Sequence, residues 1–542
     1  MVTPPTGGLT RRQFLAAAVA ATIAAACSDD DSSPGAGDAG GAGTSTTTSR
    51  TEAPRFESDP FGLGVASGDP LHDRVVLWTM LVAEEGVGDE DVDVDWEVAT
   101  DEQMSEVVAS GTGRAVAALG HSVHVDASGL EPDTEYWYRF RVGGFETEPA
   151  RTRTFAAAGT TPDRFRFAFS SCQNWEQGYY AAYRDLVDTG DLDAFLFLGD
   201  YIYEYASGGY ADERSRQTGQ DFECVTVDQY RQRYALYRSD PLLQAAHALV
   251  PWIITWDDHE VDNDYAGGVS EEDAPTGEFL DRRAAAYQVW YEFMPVRLEA
   301  PTGPDLDIYR SFAHGDLVRF HVLDTRQYRS DQQRGEPFVA QLGEAVQVRI
   351  DEPGRTMLGD AQREWLLEGA EASTATWDVL AQQVFMFGGN AIRDADPPVV
   401  VVDTWDGYAE ERRTLLERMA GTVDNLVVLT GDFHSAAVAE LRADPFDQSL
   451  PVVGTELMAT SISSSFFDDD DVVEQLVSTA LATNPQIRWF DARRGYTRCE
   501  VTPERWLATY RVVEDQFAED SPVATASEWE ILAGTPGPRQ LS

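Results

Sequence analysis

The chain contains no lysine: its 41 basic residues are all arginine, against 93 acidic ones, for a formal net charge of −52. Such an acidic surface repels phosphodiester backbones, which excludes nucleic acid as a general partner. Cysteine is scarce as well, with 4 in 542 residues, so the fold is not a disulfide-dense scaffold. No stretch repeats at a fixed period. A long apolar run is also missing, since Phe14 to Ala26 is too short to span a bilayer comfortably as a mature anchor. What is present is 43% hydrophobic and 11% aromatic residues, a globular composition in a chain long enough for more than one core. The acidity suits solubility in a salty exterior, where ions screen self-repulsion, or a specific acidic binding role.

The first residues read as a targeting segment. Thr10-Arg11-Arg12-Gln13-Phe14-Leu15 places paired arginines directly before the apolar stretch, the pattern of a twin-arginine export signal over residues 1–27. This route carries folded proteins, which suits a chain that acquires a cofactor before export. Ala24-Ala25-Ala26-Cys27 resembles a lipoprotein processing site, with Ala24 where leucine is usual. A lipid anchor at Cys27 and ordinary peptidase cleavage both stay open, and either leaves the mature protein extracytoplasmic. A Ser/Asp/Gly/Thr-rich linker over residues 28–57 follows. Of the other cysteines, Cys172 belongs to a motif described below, and Cys224 and Cys499 remain as a candidate pair.

Residues 58–157 show short alternating segments broken by turns, among them Val75–Trp78, Val92–Val98 and Tyr136–Val142. Period-two alternation with Gly, Pro and Asp punctuation predicts a small all-β sandwich. The stretch Gly129–Tyr138 is similar to the turn and strand entry of a fibronectin or Ig-like module. No titratable cluster of catalytic type lies here, so the module is expected to be structural or positioning.

From residue 162 to 530 apolar runs alternate with longer helical patterns, the grammar of an α/β domain. Phe165–Ser170 ends at Ser171-Cys172, Ala194–Leu198 at Gly199-Asp200, and Trp252–Trp256 at Asp257-Asp258-His259-Glu260. Leu317–Leu323 ends at Asp324-Thr325-Arg326, and Leu426–Leu429 runs on to Gly431-Asp432-Phe433-His434. Singly, an aspartate after glycine at a strand end is a turn or helix cap. Jointly, ordered strand ends that each carry a carboxylate, imidazole or thiol predict one convergent site for hard or borderline cations.

These residues resemble the metallophosphoesterase superfamily, and within it the PhoD-type alkaline phosphatases. The resemblance is carried by Ser171-Cys172-Gln173, Gly199–Glu204, Trp256–Asn263, Leu323–Arg329, Thr430–Ser435 and the tail Asn484–Tyr496. It implies a metallophosphoesterase-type β-sandwich flanked by helices, preceded by the small all-β sandwich. It further implies ferric iron, Fe(3+), and calcium, Ca(2+). Cys172 and Tyr203 would bind iron as anions, and Asp200 would bridge iron to calcium. Asp258 stands where the superfamily carries an asparagine ligand, and Asp432 and His434 where it carries His-x-His. A further histidine is expected on Trp377–Phe385, where this sequence offers only Gln382 or Gln383.

The implied reaction is hydrolysis of phosphate mono- and diesters by a metal-activated hydroxide, with phosphate ester as the partner. In so acidic a chain the phosphate needs a local positive centre, supplied by arginines or bound cations. His259 is the general acid by analogy, oriented by Glu260 or Asp262. Arg326 is either a phosphate clamp or half of a structural ion pair with Asp324 or another carboxylate. Asn263 and Asp257 are additional metal or substrate contacts, and the tyrosines from Tyr205 to Tyr210 form a pocket rim. Two other readings stand beside this one: a phospholipase D-like or wall-polymer phosphodiesterase of the same fold, and a non-catalytic surface binding protein on that scaffold. The run Asp468–Asp471 is either a further cation site or a set of solvated carboxylates.

Overall fold

The computed structural model describes residues 56–83, 86–210, 215–272, 274–332, 339–341, 352–392, 395–465 and 470–542. The export segment, Cys27, most of the linker and Asp468-Asp469 lie outside these residues. Two large sheets face each other. The apolar runs of the α/β region supply the centre of both: Phe165–Ser170, Ala194–Leu198 and Trp252–Thr255 pair in parallel in a ten-stranded sheet. Val318–Val322, Trp377–Ala381, Leu426–Thr430 and Gly454–Met458 do the same in a seven-stranded one.

Ala194–Leu198, Trp252–Thr255 and Leu426–Thr430 are buried on both faces, which is why they read as nearly unbroken apolar runs. In Ala194–Leu198, Ala194, Leu196 and Leu198 point between the sheets, where they meet Phe167, Phe320, Val379 and Leu429. Phe195 and Phe197 point the other way, into a core shared with the helices Ala181–Thr189, Val227–Arg238, Pro241–His247 and Thr276–Phe293. Helices Gly359–Glu371, Ala409–Ala420 and Asp470–Thr483 lie along the outer face of the seven-stranded sheet. The architecture is therefore a sheet-on-sheet sandwich flanked by helices, as the resemblance implied.

The N-terminal region forms its own apolar core around Leu77, Val94, Tyr138 and Phe140, yet it does not stand apart. Its strands Val65–Gly68, Arg74–Met80 and Ser122–Ser128 extend the ten-stranded sheet, through the parallel pair Gly68↔Trp252. Val107–Ala115, Val92–Ala99 and Glu135–Val142 belong to the sheet that covers them. Asp69 fixes the join. Its carboxylate receives Arg310 Nη2 at 2.8 Å and the Arg297 amide at 2.8 Å.

Cys224 and Cys499 are both free thiols. Cys499 lies in the core between the sheets, whereas Cys224 packs among the helices on the outer face. The ten-stranded sheet separates them, so the candidate pairing is not formed. No helix among the described residues is long and apolar enough to cross a membrane.

Candidate metal centre

Parallel pairing in both sheets brings the carboxyl ends of the central strands to one edge, and the bridge Ser171↔Ser461 ties the two sheets together there. The clusters that follow the strands meet at this edge. Glycines let them approach: a Cβ on Gly199 would collide with Asp257, and one on Gly431 would stand 2.6 Å from Ser171 Oγ. The next residues turn sharply. Cys172, Asp200, Asp432 and His434 have φ of 57°, 57°, 63° and 48°, a left-handed conformation that non-glycine residues seldom adopt. Four such residues at one edge mark strain held for function.

Cys172, Asp200 and His434 offer ligand atoms that all lie within 4.8 Å of one another, as do Asp200, Asp258 and His259, and again Asp257, Asp258 and Asp432. Tyr203 completes the first group. Its hydroxyl donates to Asp200 Oδ2 at 3.0 Å, lies 2.9 Å from His434 Nε2 and accepts from Ser464 Oγ at 2.7 Å. All these side chains are buried. Cys172, Asp200, Tyr203, Asp258, Asp432 and His434 are thus gathered in one place.

Electrostatics within the cluster favour neutral forms. Burial, with Asp200 nearby, pushes the Cys172 thiol well above its ordinary range, and burial with Asp200 and Cys172 does the same to the Tyr203 phenol. Burial and mutual repulsion likewise raise Asp200 and Asp257. Asp200 Oδ1 and Asp257 Oδ2 are buried without a hydrogen-bond partner. A multivalent cation reverses all four shifts together and satisfies those oxygens, because coordination selects the anionic form of each ligand. The residues present therefore fit a metal centre.

Glu260 holds the cluster from beneath. Its carboxylate accepts the backbone N–H groups of Asp200, Tyr201 and Asp257, at 3.1, 2.5 and 2.8 Å, and so locks two strand ends together. Burial pushes Glu260 up to about 7, against the lowering effect of those donors. It does not orient His259, nor does Asp262. That part falls to Glu204, whose Oε2 lies 2.8 Å from His259 Nδ1. Burial opposes the imidazolium, but Glu204, Asp200 and Asp258 outweigh it and raise His259 well above its ordinary value. Tyr203, Tyr205 and Tyr210 surround the imidazole with ring centroids 4.2, 5.7 and 5.6 Å away.

Arg326 resolves in favour of the structural ion pair. Fully buried, it pairs through Nε with Asp257, through Nη1 with Asp403 at 3.1 Å and through Nη2 with Asp432 at 3.1 Å. Asp324 instead caps the turn, accepting the backbone N–H groups of Arg326 and Gln327 at 2.9 Å each. With each nitrogen on a carboxylate, the guanidinium organises the acidic cluster and is not offered to phosphate.

Gln383 has another task as well. Its Oε1 accepts from Thr325 Oγ1 at 2.6 Å and its Nε2 donates to Thr255 Oγ1 at 2.9 Å, stitching the two sheets. The Gln382 amide is engaged with Trp405, Val384 and Thr430. Asn263 turns its amide toward Glu271 Oε1 at 2.7 Å and Asp264 Oδ2 at 3.3 Å.

Sequence reasoning gave no role to Glu204, Asp403 or Ser464. Glu204 carried a signal, as the one charged residue in the aromatic stretch Tyr201–Tyr205. Asp403 and Ser464 carried none, because their partners are remote in the chain.

A family model described as PhoD-like phosphatase matches residues 167–510, and one described as PhoD-like phosphatase, N-terminal domain, matches residues 45–156. The chain is 42% identical over 497 residues to alkaline phosphatase D of Bacillus subtilis (strain 168), covering 90% of this chain and 84% of that protein. It is also similar to a solved structure described as "Structure of PhoD". There the TM-score is 0.85 at 40% identity, over 90% of this chain and 94% of that one.

Proposed function

The chain belongs to the PhoD-like phosphatase family and is a metal-dependent hydrolase of phosphoric esters, and from that premise we propose that ferric iron and calcium are its cations. The observation that carries this reading is the buried meeting of Cys172, Asp200, Tyr203 and His434. A thiolate and a phenolate at one centre suit Fe(III) better than zinc or magnesium. Cys172, Tyr203 and His434 would hold the iron with Asp200, and Asp258 and Asp432 would join Asp200 at calcium, whose preference is for oxygen ligands. The chemistry supplied there is Lewis acidity, which neutralises charge on the phosphoryl oxygens and makes water nucleophilic at neutral pH.

The chain's own residues do the rest. His259 donates a proton from Nε2 to the departing alkoxide while Glu204 holds Nδ1. Glu260 fixes the backbone of Asp200 and Asp257, and Arg326 keeps Asp257, Asp403 and Asp432 from repelling one another. Tyr205 and Tyr210 shield the imidazole from solvent. The enzyme works outside the cytoplasm, delivered by the twin-arginine pair Arg11-Arg12 and either anchored through Cys27 or cleaved free. Arg11→Lys with Arg12→Lys should leave the activity in the cytoplasmic fraction, and undiminished export would contradict the route.

The metal assignment is tested on the purified protein. p-Nitrophenyl phosphate and its bis-ester should both be hydrolysed, and calcium chelation should abolish turnover. A visible phenolate-to-iron charge-transfer band should vanish in Tyr203→Phe. A colourless, iron-free enzyme of full activity would overturn iron.

A further inference from the structure

The edge that carries the metal centre also buries a group of hydroxyls. Ser461, Ser463, Ser464 and Ser465 are all buried, as is Ser171 at the end of Phe165–Ser170, and a buried hydroxyl costs stability unless it finds a hydrogen-bond partner. Two of them face ligand atoms. Ser171 Oγ stands 2.9 Å from Cys172 Sγ, and Ser464 Oγ stands 2.7 Å from the Tyr203 hydroxyl oxygen. The thiol and the phenol are the two groups that bind iron as strongly donating anions, so each of these ligands has a serine beside it.

The place of Ser464 is fixed from several sides. Its Oγ accepts the Asn174 N–H at 3.0 Å, and its carbonyl accepts from Ser461 Oγ at 2.5 Å and from Arg494. Its own proton has two acceptors within reach, the Cys172 carbonyl at 2.9 Å and the Tyr203 oxygen at 2.7 Å. Coordination decides between them. A phenolate is charged and a backbone carbonyl is neutral, and a hydrogen bond to an ionised acceptor is roughly twice as strong. The Cys172 carbonyl keeps the N–H groups of Ser463 and Ser464, at 3.4 and 3.3 Å, when the hydroxyl turns to Tyr203. For Ser171 the direction is set by the sulfur, because a thiolate carries no proton to give and the serine must be the donor.

A hydrogen bond to an anionic ligand holds back part of the electron density that the ligand would otherwise give to its metal. Resting on the iron reading above, we propose that Ser171 and Ser464 are positioning residues that limit the electron donation of Cys172 and Tyr203 and so keep the ferric ion electron-poor. A thiolate and a phenolate without these hydroxyls would weaken the Lewis acidity for which the cation is held.

Visible absorption and the reduction potential of the purified ferric protein test this. In Ser464→Ala the phenolate-to-iron band should move to longer wavelength, because a phenolate without its donor releases an electron at lower energy, and the midpoint potential should fall. Ser463→Ala is the control. Ser463 is equally buried, but its hydroxyl donates to the Asn174 carbonyl at 2.7 Å and not to a ligand, so band and potential should stay native. A native band in Ser464→Ala, or an equal shift in Ser463→Ala, overturns the proposal. Ser171→Ala reaches the thiolate and leaves Asn174 untouched, and it decides the matter should Ser464→Ala not fold. Its potential should fall, and a native value rejects the proposal. A native protein with no such band would mean instead that the iron reading has failed, and this inference with it.

Discussion

His259 is buried beside three carboxylates, and only Glu204 touches its Nδ1, at 2.8 Å. A bound cation would cancel much of the influence of Asp200 and Asp258, but not that direct contact. Glu204→Gln keeps the shape and removes the charge, so the imidazole pKa should fall. An acid catalyst works below its pKa, so the alkaline limb of kcat should move to lower pH, with KM held. His259→Gln should lower kcat by about 10²–10⁴-fold. The loss should be larger on alkyl esters than on p-nitrophenyl esters, whose leaving group departs without a proton. Equal losses on both would remove His259 from the acid role. Arg326 makes a different kind of prediction. Removing one member of a buried charge network leaves its partners uncompensated, so Arg326→Met should cost about 3–5 kcal/mol. Thermal unfolding of the chelated protein would show it. Calcium should restore part of the loss if a cation can stand in for the guanidinium among Asp257, Asp403 and Asp432. No recovery would mean that the carboxylates are held by Arg326 alone.

At the scale of elements, the strands that build the site were legible. Ala194–Leu198 and Leu426–Thr430 are buried on both faces, and a short apolar run closed by a polar turn is the trace such strands leave. Their partition into two sheets was not legible, since strands of either sheet carry the same pattern. The gathering of Cys172, Asp200, Tyr203, Asp258, Asp432 and His434 followed from motif resemblance and strand ends together. Roles set by remote partners escaped. Ser464 reaches Tyr203 only because Ser171 bridges Ser461, and Gln383, expected at the metal, spends its amide on Thr325 and Thr255. The N-terminal sandwich read as a separate module because its own core is complete. Its attachment rests on Gly68, whose neighbours Pro295 and Trp252 leave no space for a Cβ, and no local pattern announces such a contact. Removing residues 56–157 would expose the edge of Trp252–Thr255 and the unpaired Arg310 and Arg297. An open, apolar edge of this kind invites association between chains. The truncated catalytic region should therefore aggregate on size-exclusion chromatography at concentrations where the whole chain elutes as a single species. A soluble, active fragment would show the sandwich to be an independent appendage.

Over the whole molecule the balance of charge sets conditions that no single site reveals. With 93 acidic and 41 basic residues, salt has two opposing effects. Screening weakens the arginine ion pairs, among them the half-exposed Arg141–Glu146 and Arg418–Glu371, each of which contributes about 0–1 kcal/mol. Screening also relieves repulsion among the carboxylates, which outnumber the arginines more than twofold. The range over which charges feel one another falls from about 10 Å at 0.1 M salt to about 3 Å at 1 M, so repulsion spread over the surface should respond more strongly than pairs in contact. Thermal unfolding between 0.05 and 2 M sodium chloride should accordingly show Tm rising with salt. About 1 kcal/mol of relieved repulsion corresponds to roughly 2 °C in a large domain. Calcium must be held constant throughout, because its occupancy of the acidic cluster would raise Tm by binding alone. Sucrose at equal viscosity should not reproduce the initial steep rise, which belongs to screening and saturates once the Debye length falls below the spacing of surface carboxylates. A Tm that falls with salt would mean that the arginine pairs outweigh the repulsion, and that the missing lysines have been replaced by a network which holds the surface together.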